Sequence, residues 1–93
     1  MGPEAKVEAY LAREVKALGG LCFKLLPSVT GLPDRLVVLP GGRVFLVELK
    51  SATGRLRERQ KVIGIRLAAR GVQVPVLHST DDVDAWLESL DSV

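Results

Sequence analysis

The sequence predicts an α/β domain in the order α-β-β-β-α-β-α, a mixed sheet flanked by helices. Three observations carry this reading. Apolar residues recur at helical spacing in three segments, short apolar runs of strand length lie between them, and Gly or Pro marks nearly every junction. A length of 93 residues fits a single domain, 1–93.

The elements follow in order. Val7, Leu11, Val15 and Leu18 predict a helix over about 4–18, stopped by Gly19-Gly20. Leu21 to Leu26 reads as a strand closed by Pro27, and Ser28 to Asp34 as turn chemistry. Asp34–Leu39, Pro40-Gly41-Gly42 and Arg43–Lys50 read as a β-hairpin. Leu56, Ile63 and Leu67 mark a second helix ended by Gly71. Val72–Leu77 is a fourth strand, demoted to an edge by Pro75. Ser79 and Asp82 open a third helix as a capping signature, with Val83, Trp86, Leu87 and Leu90 on its inner face. The third and fourth strands flank a helix, so they should be parallel with a right-handed crossover.

Composition excludes several classes. A single cysteine, Cys22, rules out an intramolecular disulfide framework, and no zinc-ligand spacing is present. Cys22 lies in an apolar run and reads as a reduced core thiol, consistent with a cytoplasmic location. No apolar stretch is long enough for a membrane span, and the first ten residues lack the apolar core of a signal peptide. The net charge of +2 hides a segregation. Residues 55–77 hold six Lys/Arg against Glu58, whereas 78–93 hold five Asp/Glu and no Lys or Arg. Such a domain favours anions on one side.

The third strand places Val44, Leu46, Glu48 and Lys50 on one face, and Phe45, Val47 and Leu49 on the other. Both faces are largely apolar, so the strand is predicted to be central, with helices on both sides. Charges at the end of such a strand cost desolvation free energy and require a reason. With a three-residue loop, Leu39 faces Arg43, and the register then sets Asp34 opposite Glu48. Opposed carboxylates repel unless a cation lies between them, and a hard ion such as Mg²⁺ or Mn²⁺ suits them. A two-residue Gly41-Gly42 loop would put Arg35 there instead. The plain alternative is that Lys50 neutralises Glu48 and Asp34 caps a turn.

Gly31-Leu32-Pro33-Asp34, thirteen intervening residues and Glu48-Leu49-Lys50 resemble the PD-(D/E)xK nuclease superfamily. With Glu8, Gly19-Gly20, Lys24, Leu56, Gln60, Gly71 and Asp81-Asp82-Val83, nearly the whole chain resembles a standalone VRR-NUC domain. Such domains are common in bacteriophages and resemble archaeal Holliday-junction resolvases. The resemblance implies a restriction-endonuclease-like core and a set of roles. Asp34 and Glu48 match metal ligands, with the Leu49 carbonyl completing the site. Glu8 matches the helix glutamate that joins it, preferred here over its rival Glu4. Lys50 matches the lysine that orients the attacking water, and Gln60 the glutamine beside it. The implied cofactor is Mg²⁺ or Mn²⁺, and the implied reaction is phosphodiester hydrolysis of DNA, branched DNA such as junctions or flaps being the expected substrate.

Arg55, Arg57, Arg59 and Lys61 crowd the start of the second helix, where the dipole disfavours cations, so nucleic-acid phosphate is their expected partner. Lys24 and Arg35 are expected to assist. Asp81, Asp82 and Asp84 read as complements to the start of the third helix, His78 as a surface residue and Trp86 as core. Val62, Ile65 and Ala69 widen the second helix's apolar band, which suggests a homodimer face. Two function classes stand: a metal-dependent nuclease of the cytoplasm of a bacterial or phage-infected cell, and a non-catalytic DNA-binding or assembly module.

Overall fold

The computed structural model describes residues 4–26 and 28–91. The seven elements occur in the expected order: α1 (Ala5–Ala17), β1 (Leu21–Lys24), β2 (Arg35–Leu39), β3 (Arg43–Leu49), α2 (Glu58–Ala68), β4 (Val76–Leu77) and α3 (Thr80–Leu90). They form a four-stranded mixed sheet in spatial order β1-β2-β3-β4. The first two pairings are antiparallel and β3–β4 is parallel. β3 is central, as its two apolar faces require.

The hairpin has the three-residue loop. Leu39 faces Arg43 and Arg35 faces Val47, so the next pair outward is Asp34 with Glu48. β1 is shorter than expected and ends at Lys24 rather than Leu26, although Leu25 still donates its N–H to the Asp34 carbonyl at 2.8 Å. Its expected stop, Pro27, lies outside the described residues. β4 is two residues long, not six. Glu48 N–H bonds to the Pro75 carbonyl at 3.0 Å, so pairing with β3 begins only there. Proline has no N–H of its own to extend the ladder.

One side of the sheet is closed. Val7, Leu11 and Val15 of α1 and Val83 and Leu87 of α3 pack on Val37, Leu39, Val47, Leu49 and Leu77. Trp86 joins the margin of this core, meeting Phe45 edge-to-face at 5.4 Å. α1 stops where Gly19 takes φ 81°, a left-handed conformation that glycine adopts without cost, with Gly20 N–H returning to the Val15 carbonyl. α3 starts with a reciprocal cap. Ser79 Oγ accepts from Asp82 N–H, and the Asp82 carboxylate accepts from His78 N–H. Asp84 does not serve that end: it accepts a 2.6 Å bond from Tyr10 and ties α3 to α1. That hydrogen bond first, then desolvation and the Asp84 charge, push the Tyr10 pKa up to about 12. His78 is half-buried rather than on the surface, with Nδ1 2.9 Å from the Ser51 carbonyl.

The other side is open. α2 starts at Glu58, later than its apolar stripe suggests, and buries no residue fully. Its outer face leaves Val62 45% and Ile65 70% exposed. Leu21, Phe23 and Val44, which project from the α2 side of the sheet, are each about half exposed.

Candidate active site

The site lies on the open side, where β2 begins and β3 ends. A cleft of about 400 Å³ is lined by Glu4, Asp34, Glu48, Lys50, Arg57 and Gln60, together with Leu49 and the loop residues Ser28, Thr30, Gly31 and Leu32. Gly31 permits close approach of α2: a Cβ there would stand 2.5 Å from the Arg59 carbonyl oxygen. The turn that carries Asp34 and the helix that carries Gln60 therefore meet at a glycine.

Glu48 is the centre. Its side chain is 6% exposed, yet it carries a carboxylate. Lys50 Nζ lies 3.7 Å from Oε2, and Gln60 Nε2 donates to the same oxygen at 3.2 Å. Gln60 Oε1 accepts the Arg57 N–H at 2.8 Å, so one side chain both caps α2 and holds Glu48. Behind Glu48 sits a small apolar recess of about 50 Å³, bounded by Pro33, Leu56, Val74 and Val76. Burial first, then the charge of Asp34, push the Glu48 pKa up to about 7, while Lys50 works against the rise.

Asp34 is held on both sides. Oδ1 accepts the Leu49 N–H at 3.2 Å, and Oδ2 lies 3.3 Å from Arg35 Nη1. Two carboxylates and the Leu49 carbonyl are hard oxygen donors, and the unfavourable effect of Asp34 on Glu48 is what a cation between them would relieve. Among the described residues no three His, Cys, Asp or Glu side chains converge as a metal cluster. A two-carboxylate site completed by water and phosphate is the form that Mg²⁺ accepts and Mn²⁺ tolerates.

The structure places the other expected residues unevenly. Glu4, not the preferred Glu8, lines the cleft; Glu8 Oε2 instead lies 2.8 Å from Arg35 Nη2. The two glutamates are one helical turn apart, and the first turn of α1 is the end nearest the site, a distinction that spacing alone does not make. Arg35 is not a surface phosphate contact. It is 5% exposed, because its β2 position projects with Val37 and Leu39 toward α1. Lys24 is exposed beside it at the end of β1, outside the cleft lining. Arg55, Arg57, Arg59 and Lys61 are all exposed; only Arg57 lines the cleft, and Lys61 pairs with Glu58 at 3.5 Å. Ser28 and Thr30 are cleft residues that the sequence reading passed over as turn chemistry.

No protein-family model matches the chain. It is 40% identical over 79 residues to the protein named "Putative nuclease p44" of Acyrthosiphon pisum secondary endosymbiont phage 1, a match covering 84% of this chain and 85% of that protein. A solved structure named "VRR_NUC domain" superposes with a TM-score of 0.87 at 34% identity, over 95% of this chain and 97% of that one. The expected fold class is therefore the observed one, and the chain belongs to the VRR-NUC nuclease family.

Proposed function

We propose that the protein is a divalent-metal-dependent DNA endonuclease that cuts branched DNA, four-way junctions or flaps, as a homodimer. The observation that carries the reading is the opposition of Asp34 and Glu48 across the β2–β3 register, with Lys50 beside them in an open cleft. Asp34, Glu48 and the Leu49 carbonyl would hold Mg²⁺ or Mn²⁺. When bound, that ion polarises a phosphoryl oxygen and acidifies water.

The chain's own groups supply the rest. Lys50 places its ammonium at the same cleft wall and adds positive charge where the phosphate becomes more negative. Gln60 fixes the Glu48 carboxylate from α2. Arg57 lines the approach, and Arg55, Arg59 and Lys61 extend a basic surface for the DNA backbone, which is read by shape rather than base sequence. A two-fold dimer would carry two such sites, matching the symmetry of a four-way junction. The exposed Val62 and Ile65 of α2 are apolar surface available for it, as are the half-exposed Phe23 and Val44 on the sheet. The phage origin of the relative supports action in the cytoplasm of a bacterial or phage-infected cell.

The test is incubation of labelled four-way junctions, flaps and plain duplex with and without Mn²⁺, using wild type and Asp34→Asn. Metal-dependent cleavage of branched substrates, lost in the variant, is the expected result. Binding without cleavage in every condition would leave a DNA-binding module instead.

A further inference from the structure

The least expected group near the cleft is a buried arginine. The Arg35 side chain is 6% exposed. A guanidinium does not lose its proton in a protein, so a buried one must be neutralised by its neighbours. Two carboxylates do this. Nη2 lies 2.8 Å from Glu8 Oε2; Nη1 lies 3.3 Å from Asp34 Oδ2 and donates to the Asp34 carbonyl at 2.9 Å. The cross-strand partner of Arg35 is Lys24, another cation, which adds to the local need for negative charge.

The two contacts are unequal in length and in consequence. Asp34 is one of three carboxylates lining the cleft, with Glu4 and Glu48, and any charge it shares with Arg35 is withheld from a cation there. Glu8 lines no part of the cleft and makes the shorter contact. We infer that Glu8 is a positioning residue that acts through Arg35: by holding the buried guanidinium on the α1 side, it leaves the Asp34 carboxylate available to a divalent cation. The inference rests on the metal site proposed above. It gives Glu8 an influence on that site without placing it among the ligands.

The charge arithmetic sets the signs. In Glu8→Gln, Arg35 keeps only Asp34 as an anionic partner, and Mn²⁺ competes with it less well. Removing the guanidinium from that variant frees Asp34 again. A glutamate that ligated the metal directly would weaken binding as much in the Arg35→Gln background as in wild type, whereas one that acts through Arg35 would not.

The experiment is Mn²⁺ titration by calorimetry on the full chain, without DNA, with each variant's thermal midpoint measured alongside. Wild type binds and Asp34→Asn does not. Glu8→Gln is expected to fold and to bind Mn²⁺ roughly tenfold more weakly, a size typical of coupled neighbours. Glu8→Gln combined with Arg35→Gln is expected to recover most of that loss. Arg35→Met, which fills similar space under α1, replaces Arg35→Gln if the latter does not fold. Wild-type affinity in folded Glu8→Gln would overturn the inference and leave the metal site standing. A Glu8→Gln loss of the same size measured against Arg35→Gln alone would also overturn it, and would make Glu8 a ligand. Absence of Mn²⁺ binding in wild type would overturn both.

Discussion

The two faces of the sheet are built to different standards. On the α1–α3 side, Val37 and Val47 are fully buried, Leu39 and Leu49 nearly so, and all pack against two helices. On the α2 side, Leu21, Phe23 and Val44 are about half exposed, α2 buries no residue fully, and the most buried polar group is a carboxylate. The first face holds the fold together. The second carries the unfavourable electrostatics, a buried carboxylate with a second one beside it. The separation lets a small domain keep a charged, open cleft without weakening its core. Arg35 is the point of contact between the two, rooted in the apolar face and bonded to Asp34.

The sharpest way to test this division is to strike the chemical face alone. Lys50→Ala should lower Mn²⁺-dependent cleavage by roughly 10²- to 10³-fold, the usual cost of losing one transition-state charge contact. Mn²⁺ and junction binding should persist. Normal cleavage by this variant would remove Lys50 from the reaction.

The reverse strike falls on the core. Leu11 is wholly buried between α1 and the sheet, and Leu11→Ala should cost about 3 kcal/mol in urea unfolding, through lost transfer energy and a cavity. Cleavage per folded molecule should be unchanged. A variant as stable as wild type would contradict the single-core picture.

Glu48 links the faces through pH. Burial and the charge of Asp34 raise its carboxyl from an ordinary pKa of 4.5 to about 7 in the fold. Below about 4.5 both folded and unfolded chains hold the proton and Glu48 adds no penalty. As pH rises toward 7 the unfolded chain gives up its proton more readily, so the metal-free protein loses stability across this window, by an amount of order 3 kcal/mol. Glu48→Gln should flatten that part of the profile. Thermal midpoints between pH 4.5 and 8, measured in chelator, decide it.

The smallest effect is expected at the open apolar surface. Ile65→Ser or Phe23→Ser should change the stability of a monomer by less than about 0.5 kcal/mol, because neither residue is buried. Sedimentation at micromolar concentration should nevertheless show weaker self-association. Unchanged association in both would place the dimer contact elsewhere.

Much of this was legible from residue order. Period-3.6 and period-2 patterns located all seven elements, Ser79 and Asp82 gave the α3 cap, and the hairpin was narrowed to two registers, of which the structure has the three-residue loop. Hairpin register is a local property, and local properties are written in adjacent residues.

What the sequence did not contain was direction in three dimensions. It preferred Glu8 over Glu4 as the residue facing the site, and only the docking of α1 on the sheet put Glu4 in the cleft and Glu8 on Arg35. It counted Arg35 with the surface cations, and only the facing of β2 toward α1 buried it. It read Asp84 as a helix-end charge, and only the α1–α3 contact gave it to Tyr10. It gave β4 six residues, and packing allowed two. By itself, the sequence determined which segments become helix or strand and narrowed the residue opposite Glu48 to Asp34 or Arg35, because those follow from neighbours along the chain. The tertiary structure decided which charges are buried and which face the cleft, because those depend on how helices settle on a sheet.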